Sequence, residues 1–290
     1  MTITVRSLHV YPIKSCAGID LLESTIDMAG LAHDRRWLLV GDDGMFLTQR
    51  AEPRMVLIRP RFDQDWLCVE APGMPVLRLP LYCDGGANLA DKTVTVWRDT
   101  MLAGDEGQDA ADWFSHFLKR SLRLVRADKR TRRVANQQRV TNWQDRYGVL
   151  APDMPADNLF RFADGFPLLL TSQASLDVFN ARLQEQGTAP VAMTRFRPNI
   201  VLDGLDAYDE DHLAMLTIGQ VRLPVVKPCS RCPIPNIDPQ TAEKNESIGR
   251  TLSSYRTTAD GVIFGQNALV QAPAGAVLHA GDRCEPSWTF

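Results

Sequence analysis

The residues best suited to chemistry are two cysteines in the segment KPCSRCPIPNID, at positions 227 to 238. Cys229 and Cys232 are separated by two residues, and prolines on both sides restrict the backbone around them. Such a pair can supply half of a zinc site, act as a redox dithiol, or contribute a single thiolate to a metal.

The rest of the sequence disfavours two of these chemistries. Structural zinc takes four Cys or His ligands in two close pairs, but there is no second C-x-x-C and the five histidines are scattered singly. A redox dithiol needs a helix N-terminus, whereas Pro233, Pro235 and Pro239 favour an extended or turning loop. Two interpretations stay open: a pair of inert buried thiols, or one thiolate on a metal whose other ligands are not protein.

Size and charge limit the class of protein. The 290 residues are 44% hydrophobic and 23% charged, which is typical of a globular chain that forms two compact units or one large β-rich unit. A net charge of −3 gives no electrostatic reason to expect nucleic acid as a partner.

The sequence predicts a cytoplasmic protein without a membrane span. The opening residues lack a signal-peptide pattern, and no apolar run approaches the roughly 20 residues that a spanning helix needs. Six cysteines are too sparse for a disulfide framework, so we expect them to be reduced; they are Cys16, Cys68, Cys83, Cys229, Cys232 and Cys284.

Short segments with period-two alternation predict a strand-rich α+β fold built from barrels or sandwiches. These segments are ITVRSLHV, TVTVWRD, RPNIVLDG, LTIGQVRLPVV, VIFGQNALVQ and AVLHAGDRC. Within 216–226, Gly219 and Gln220 lie where a hairpin turn is expected. Two amphipathic helices are predicted, in DAADWFSHFLKR and TSQASLDVFNARLQEQG.

A basic run lies between these helices. Nine cationic residues occur between Leu118 and Val140: Lys119, Arg120, Arg123, Arg126, Lys129, Arg130, Arg132, Arg133 and Arg139. They form either a solvated face or linker, or a set of guanidinium groups for an anionic ligand or redox partner. The change of character predicts a domain boundary here, with domains at 1–125 and 126–290.

Several motifs in order resemble one family. KPCSRC, with RFRPNIVLDG before it and IFGQNALV after it, resembles the MOSC family, the molybdenum-cofactor sulfurase C-terminal domain. VYPIKSCAGIDL, followed by GLAHDRRWLLVGDDGMFLTQRAEPRMVLI, resembles the N-terminal β-barrel domain that precedes MOSC in the amidoxime-reducing component and bacterial YcbX-type proteins. The resemblance covers nearly the whole chain. It implies a β-barrel-like domain followed by a MOSC barrel with a few helices.

The resemblance also implies a cofactor, molybdenum with molybdopterin. The family's metal-binding cysteine is the second of the pair, which here is Cys232; Cys229 is then a bystander, and Ser230 matches a position that contacts the cofactor. The cofactor's phosphate is expected at Lys14, Ser15, Arg35 and Arg197, with Asn199 nearby. These residues come from both halves of the chain and predict a site between the domains.

This chain departs from the family at three places. A Tyr of some members is Asn267 here, which can still form hydrogen bonds, and Gly165 and Phe166 replace a Thr-Ser pair. After the cysteine pair, an altered segment brings Asp238 to a position that could relay protons at the substrate or cap the loop.

The function implied by the resemblance is reduction of small N-hydroxylated compounds, such as hydroxylamines, amidoximes or N-hydroxylated bases. Only Cys284 lies near the C-terminus, so we expect no ferredoxin domain, and electrons should come from a separate flavoprotein reductase, ferredoxin or haem protein. The basic run is a candidate docking face for an acidic donor. The alternative is a carrier of molybdenum cofactor, or of sulfur on Cys232, without reductase activity.

Overall fold

The computed structural model describes residues 2–82 and 89–289, so Cys83 lies outside the described residues. The strands are β1 (Ile3–Val10), β2 (Ile19–Leu21), β3 (Glu23–Asp27), β4 (Gly30–Leu31), β5 (Trp37–Val40), β6 (Arg59–Asp63), β7 (Trp66–Glu70), β8 (Leu77–Pro80), β9 (Ala90–Val96), β10 (Asp99–Asp105), β11 (Arg123–Arg126), β12 (Leu168–Ser172), β13 (Ile200–Asp203), β14 (Leu213–Ile218), β15 (Val221–Ser230), β16 (Thr257–Thr258), β17 (Gly261–Ala268), β18 (Val277–His279) and β19 (Arg283–Trp288). The α-helices are α1 (Gln108–Leu118), α2 (Gln137–Tyr147), α3 (Gln173–Glu185) and α4 (Ser247–Ser253). The predicted β-rich α+β class is confirmed.

Seven strands close into a barrel, in the order β12, β13, β1, β19, β14, β15 and β17, with β17 pairing back to β12. Closure removes the exposed strand edges of an open sheet. At the closing seam Gly265 has a φ of +78°, and a Cβ there would lie 2.6 Å from the carbonyl oxygen of Leu170. A side chain at this position would therefore separate β17 from β12.

Two smaller sheets come from the N-terminal part of the chain. One has the strand order β5, β11, β10, β9 and the other β6, β7, β8. Helix α1 buries the predicted apolar stripe among residues of these sheets, including Trp37 and Leu124. The N-terminal strand β1 instead belongs to the barrel, where it pairs with β13 and β19. Because β1 crosses over, backbone hydrogen bonds connect the two halves of the chain.

Both predicted helices form, as α1 and α3. Helix α2 was not predicted, because only Val140 and Trp143 of its residues are buried and the basic run obscures its periodicity. Asn136 caps it by accepting a hydrogen bond from the amide of Arg139. Within residues 2–82 and 89–289, no helix combines the length and apolar character that crossing a bilayer requires.

Most arginines of the basic run form ion pairs with acidic side chains. The pairs are Arg123–Asp105, Arg126–Glu106, Arg130–Asp128, Arg132–Asp157, Arg133–Asp99 and Arg139–Asp260. A paired guanidinium attracts a distant acidic surface less than a free one, because its field is largely cancelled. The structure thus favours a structural role for these arginines over a docking face.

Glu210 is fully buried at one end of the barrel. Its Oε2 accepts a hydrogen bond of 2.7 Å from Ser175, but its Oε1 has no hydrogen-bond partner among residues 2–82 and 89–289. Burial raises the pKa of Glu210 to about 7, although the Ser175 hydrogen bond opposes the shift. Folding therefore favours the protonated carboxyl group.

This burial predicts a pH-dependent stability. A carboxyl whose folded pKa is raised stabilises the fold most at low pH, and the contribution is lost as pH rises from its unfolded pKa through about 7. We expect the free energy of unfolding to fall by roughly 3 kcal/mol less over this pH range in Glu210→Gln than in the unaltered protein. Urea unfolding of both proteins across this pH range measures it, and parallel pH profiles would contradict the assignment.

Candidate functional site

One cleft gathers six of the nine predicted site residues. These are Lys14, Ser15, Arg35, Arg197, Asn199 and Asn267. Further lining residues, which the sequence did not single out, include Thr48, Arg50, Trp97, Asp164, Phe196 and Arg231; Cys229, expected to be a bystander, also lines the cleft. The lining residues come from both halves of the chain, as the motifs predicted for a shared site.

The backbone is strained around this cleft. Ser15, Arg35, Trp97 and Arg197 have φ values of 69°, 43°, 58° and 56°, in the left-handed region that L-residues rarely adopt. Each costs conformational energy that the surrounding contacts must supply, and such residues cluster at functional sites. The fold therefore holds these four residues in fixed, unfavourable turns around the same space.

Lys14 provides a buried ammonium group at the cleft. Its Nζ donates to the carbonyl oxygen of Phe162 at 2.7 Å and to Oδ1 of Asp164 at 2.6 Å. Burial lowers the pKa of Lys14, while Asp164 opposes the shift. Desolvation disfavours ionised Asp164, but the charge of Lys14 and hydrogen bonds from Lys14 and Trp97 outweigh it and hold the pKa of Asp164 below its usual range. The Asp164 side chain is 69% exposed, so it faces the open side of this pair.

Arg35 is fixed by three neighbours. Its NH1 group donates to both carboxylate oxygens of Asp34, at 2.8 and 2.6 Å, and to Oδ1 of Asn199 at 3.1 Å. Its NH2 group donates to the carbonyl oxygen of Arg197 at 3.0 Å. Asp34 also accepts from the amide of Tyr11, so it joins the residue that follows β1 to the arginine. Arg35 is consequently held in one orientation before any ligand arrives.

Arg197 lies beside Arg35 over a shared aromatic ring. Their guanidinium carbons lie 4.2 and 4.4 Å from the ring centroid of Tyr11, which is within cation–π range. Burial, and next the charge of Arg35, lower the pKa of Arg197 to about 10, so Arg197 remains protonated at neutral pH. Two adjacent guanidinium groups form a local concentration of positive charge that an anion would relieve.

Asn199 has a positioning role in this arrangement. It is 1% exposed, and its amide donates to the carbonyl of His9 while its Oδ1 accepts from the amide of Leu169. Its side chain therefore links β1 to β12 and holds Arg35, with little capacity left for a ligand. Asn267 makes one long hydrogen bond of 3.4 Å to the carbonyl of Pro228 and is freer to bind.

The two cysteines differ in placement. Cys229 lies near the end of β15 and lines the cleft, and its Sγ accepts a hydrogen bond of 3.0 Å from NH1 of Arg231. Cys232 is partly exposed just after the strand and is not among the lining residues, although Arg231 and Ile234 on either side of it are. The metal-ligand assignment of Cys232 stays a prediction, and the structure adds Cys229 as a thiol that faces the cleft.

Ser230 and Asp238 point to other contacts. The Ser230 hydroxyl donates to the carbonyl of Asp260 at 2.6 Å. Asp238 accepts from Arg195 at 2.7 Å and from the amides of Gln240 and Thr241. Of the two roles considered for Asp238, these contacts favour loop capping over proton relay.

The cleft fits a phosphorylated cofactor by the chemistry of its donors. Lys14, Arg35, Arg50 and Arg197 supply cations, and Arg231 has a buried Nε without a partner in the described part of the chain. The cleft volume of about 110 Å³ is small beside the 300–1,000 Å³ of ordinary ligand sites. These cationic groups would hold the phosphate of such a cofactor. No group of three or more His, Cys, Asp or Glu residues in the described ranges could hold a metal ion.

Some residues in or beside the cleft carried a sequence signal that was not used. Arg231 lies inside the C-S-R-C motif, and Asp34 precedes Arg35 in DRRW. An Arg and an acid adjacent in a motif frequently pair, which would have suggested Asp34 as the orienting group. Asp164 and Trp97 had no such signal, because they are far from Lys14 in sequence and meet it only in the fold.

Comparison with known proteins agrees with this architecture. Residues 2–121 match the family described as the MOSC N-terminal beta barrel domain, and residues 157–285 match the MOSC domain. The mitochondrial amidoxime reducing component 2 of Bos taurus is 34% identical over 260 residues, covering 87% of this chain and 72% of that protein. The human mitochondrial amidoxime-reducing component 1 is 35% identical over 299 residues, covering 96% and 81%.

A third relative is much longer than this chain, and only part of it is matched. Human molybdenum cofactor sulfurase is 30% identical over 264 residues, which cover 88% of this chain and 29% of that protein. The relatives thus include proteins named for amidoxime reduction and one named for a molybdenum-cofactor reaction. With a MOSC N-terminal barrel domain followed by a MOSC domain, the chain belongs to the MOSC family that includes the mitochondrial amidoxime-reducing components.

Proposed function

We propose that the protein is a molybdenum-cofactor-dependent oxidoreductase that reduces small N-hydroxylated compounds with electrons from a separate donor protein. The observation that carries the proposal is that Lys14, Arg35 and Arg197 line one cleft together with Cys229 and with Arg231 and Ile234, the lining residues on either side of Cys232 in sequence. Cations that can bind a phosphate, beside a soft thiolate ligand, suit a phosphorylated cofactor that holds a metal. The relatives named as amidoxime-reducing components support the substrate class.

The residues of the chain have distinct tasks in this proposal. Lys14 and Arg197 would bind the phosphate, and Arg35, fixed by Asp34, would orient it. Cys232 would supply the protein ligand to molybdenum. When bound, the cofactor supplies the two-electron chemistry that breaks the N–O bond.

The neighbourhood of the cysteines completes this assignment. Arg231 donates to Cys229 Sγ and so fixes the side chain of Cys229, three residues before the proposed metal ligand. Asn267, with one long hydrogen bond, remains available to the cofactor or substrate.

A carrier of molybdenum cofactor or sulfur is the second candidate. The partly exposed Cys232 is accessible to a partner protein, and a relative is named molybdenum cofactor sulfurase. A carrier would bear a persulfide on Cys232 and release cofactor readily, whereas a reductase would retain the cofactor through turnover.

Purification from a host that makes molybdenum cofactor tests both candidates. We expect near-stoichiometric molybdenum, a phosphorylated pterin by fluorescence, and reduction of benzamidoxime by dithionite-reduced methyl viologen. Bound cofactor without turnover, together with a Cys232 persulfide by mass spectrometry, would favour the carrier. Zinc or no metal, with no pterin, would refute the cofactor site itself.

The donor and the location complete the proposal. A flavoprotein reductase, ferredoxin or haem protein would return the electrons, and the paired arginines of the basic run give no reason to place its docking face there. We propose a cytoplasmic location, which fractionation of the native cells would check.

A further inference from the structure

A second cavity of about 740 Å³ adjoins the cleft, and the two share Arg197 and Ile234 as lining residues. The motifs assign no ligand to this second cavity. Its other lining residues are Tyr11, Ala17, Gly18, Asp20, Gln49, Val56, Arg59, Pro60, Thr194, Arg195, Ile237, Pro239 and Gln240. Its volume lies within the range of small-molecule sites, 300–1,000 Å³.

Two buried polar atoms in its wall lack partners. Tyr11 is 1% exposed and Gln49 is 2% exposed, and neither the Tyr11 hydroxyl nor Gln49 Oε1 has a hydrogen bond within the described residues. Burial raises the pKa of Tyr11 to about 12, so the hydroxyl keeps its proton. A buried polar group without a partner is unfavourable, so a ligand or water that bonds to these atoms would stabilise the protein.

The Tyr11 ring is held in place around this hydroxyl. A Cβ on Gly18 would lie 2.6 Å from the Tyr11 ring, so glycine is needed for the ring to pack there. The guanidinium groups of Arg35 and Arg197 also lie over the ring. The unpartnered hydroxyl is therefore fixed rather than free to rotate away to another partner.

The charge of the second cavity favours an anion. Arg59 is exposed at its edge and forms no ion pair within the described ranges, and Arg195 shares its charge with Asp238 alone. Arg197 contributes a third guanidinium. Against these three guanidinium groups stand two carboxylates, Asp20 in the lining and Asp238 paired with Arg195. The balance is positive, and guanidinium groups bind carboxylate and phosphate oxygens well.

We propose that the second cavity binds a small organic oxyanion, a molecule whose phosphate or carboxylate contacts Arg59 and Arg195 and whose body meets Tyr11 and Gln49. Val56, Pro60 and Ile237 give it apolar walls, so the ligand has a carbon skeleton rather than being an inorganic ion. The inference does not depend on the reductase activity, since the lining differs from the cleft except at the two shared residues.

Calorimetric titration of the cofactor-loaded protein tests the inference with three probes: benzyl phosphate, phenylacetate and uncharged benzyl alcohol. We expect saturable binding of at least one anion and none of the alcohol. Comparison of the two anions distinguishes a phosphate-bearing from a carboxylate-bearing natural ligand. Absence of saturable binding by both anions would overturn the proposal.

Matched variants locate the bound anion. Arg59→Ala should weaken binding about tenfold, because one charge-assisted contact is lost. Gln49→Leu should weaken it several-fold, about the loss of a neutral hydrogen bond. Arg78→Ala removes an exposed arginine that lines neither cavity and should change nothing.

Two outcomes would place the anion elsewhere and refute the proposal. Arg50 lines the cleft but not the second cavity. Loss of binding in Arg50→Ala but not in Arg59→Ala would therefore mean that the probe occupies the cleft. Binding to cofactor-free protein only would mean that the second cavity belongs to the cofactor. Binding to both forms, lost with Arg59, supports a separate site.

Discussion

Cys232→Ala should lower the molybdenum content of the purified protein by more than about tenfold, whereas Cys229→Ala should keep most of it. Cys232 is the proposed protein ligand to the metal, and alanine at that position offers no other soft ligand. Metal analysis and pterin fluorescence on both variants, purified side by side, make the measurement. Turnover should fall in parallel with metal in Cys232→Ala.

The structure makes this comparison sharper than the sequence alone does. Cys229 lines the cleft and accepts a hydrogen bond from Arg231, while Cys232 lies between lining residues without being one. Loss of metal in Cys229→Ala, with metal retained in Cys232→Ala, would transfer the ligand role to Cys229. Equal loss in both would indicate a structural role for the pair. Cys284→Ala, a buried thiol far from the cleft in the barrel core, serves as the control.

Lys14→Met should lower pterin retention, whereas Asp164→Asn should not. Methionine keeps the length of Lys14 but removes the ammonium, so bound pterin should fall about tenfold through loss of a charge-assisted contact to phosphate. Asparagine at position 164 removes the carboxylate that competes for the same ammonium. We therefore expect Asp164→Asn to retain pterin at least as well as the unaltered protein.

Pterin fluorescence after prolonged dialysis measures both effects. Burial lowers the pKa of Lys14, and Asp164 opposes that shift. Removal of Asp164 should therefore lower the pKa of Lys14 further, so dialysis at slightly acidic pH keeps Lys14 protonated in Asp164→Asn. Lys92→Met removes a half-buried lysine outside the cleft and is the control for charge. Thermal unfolding identifies any variant that fails to fold. Undiminished pterin in folded Lys14→Met, or loss in Asp164→Asn, would contradict a phosphate site at Lys14.

Local sequence determined the elements of the fold well. The alternation in ITVRSLHV gives β1 over Ile3–Val10, and LTIGQVRLPVV gives the β14–β15 hairpin with Gly219 at its turn. Strands with one buried face repeat every two residues, which short stretches reveal. The sequence did not predict helix α2, because this helix buries only Val140 and Trp143 and has no strong apolar stripe.

The motifs also indicated most of the candidate site. Lys14, Arg35 and Arg197 were singled out from their motifs, and the fold brings them to one cleft. Their residue types predict anion binding wherever they meet, since cationic donors bind phosphate through charge. The domain boundary and the metal ligand remain predictions, because neither follows from the positions of these residues.

Only the tertiary structure decided how these residues are used. Asn199, expected to help bind the cofactor, links β1 to β12 through its amide, while Asp164, 150 residues from Lys14, pairs with it. The sequence by itself indicated several strands, the cationic residues suited to an anion and the thiol pair. Which groups remain free for a ligand, including the unpartnered Tyr11 and Gln49, depends on contacts between distant segments. Such contacts follow from barrel closure, which no local pattern encodes.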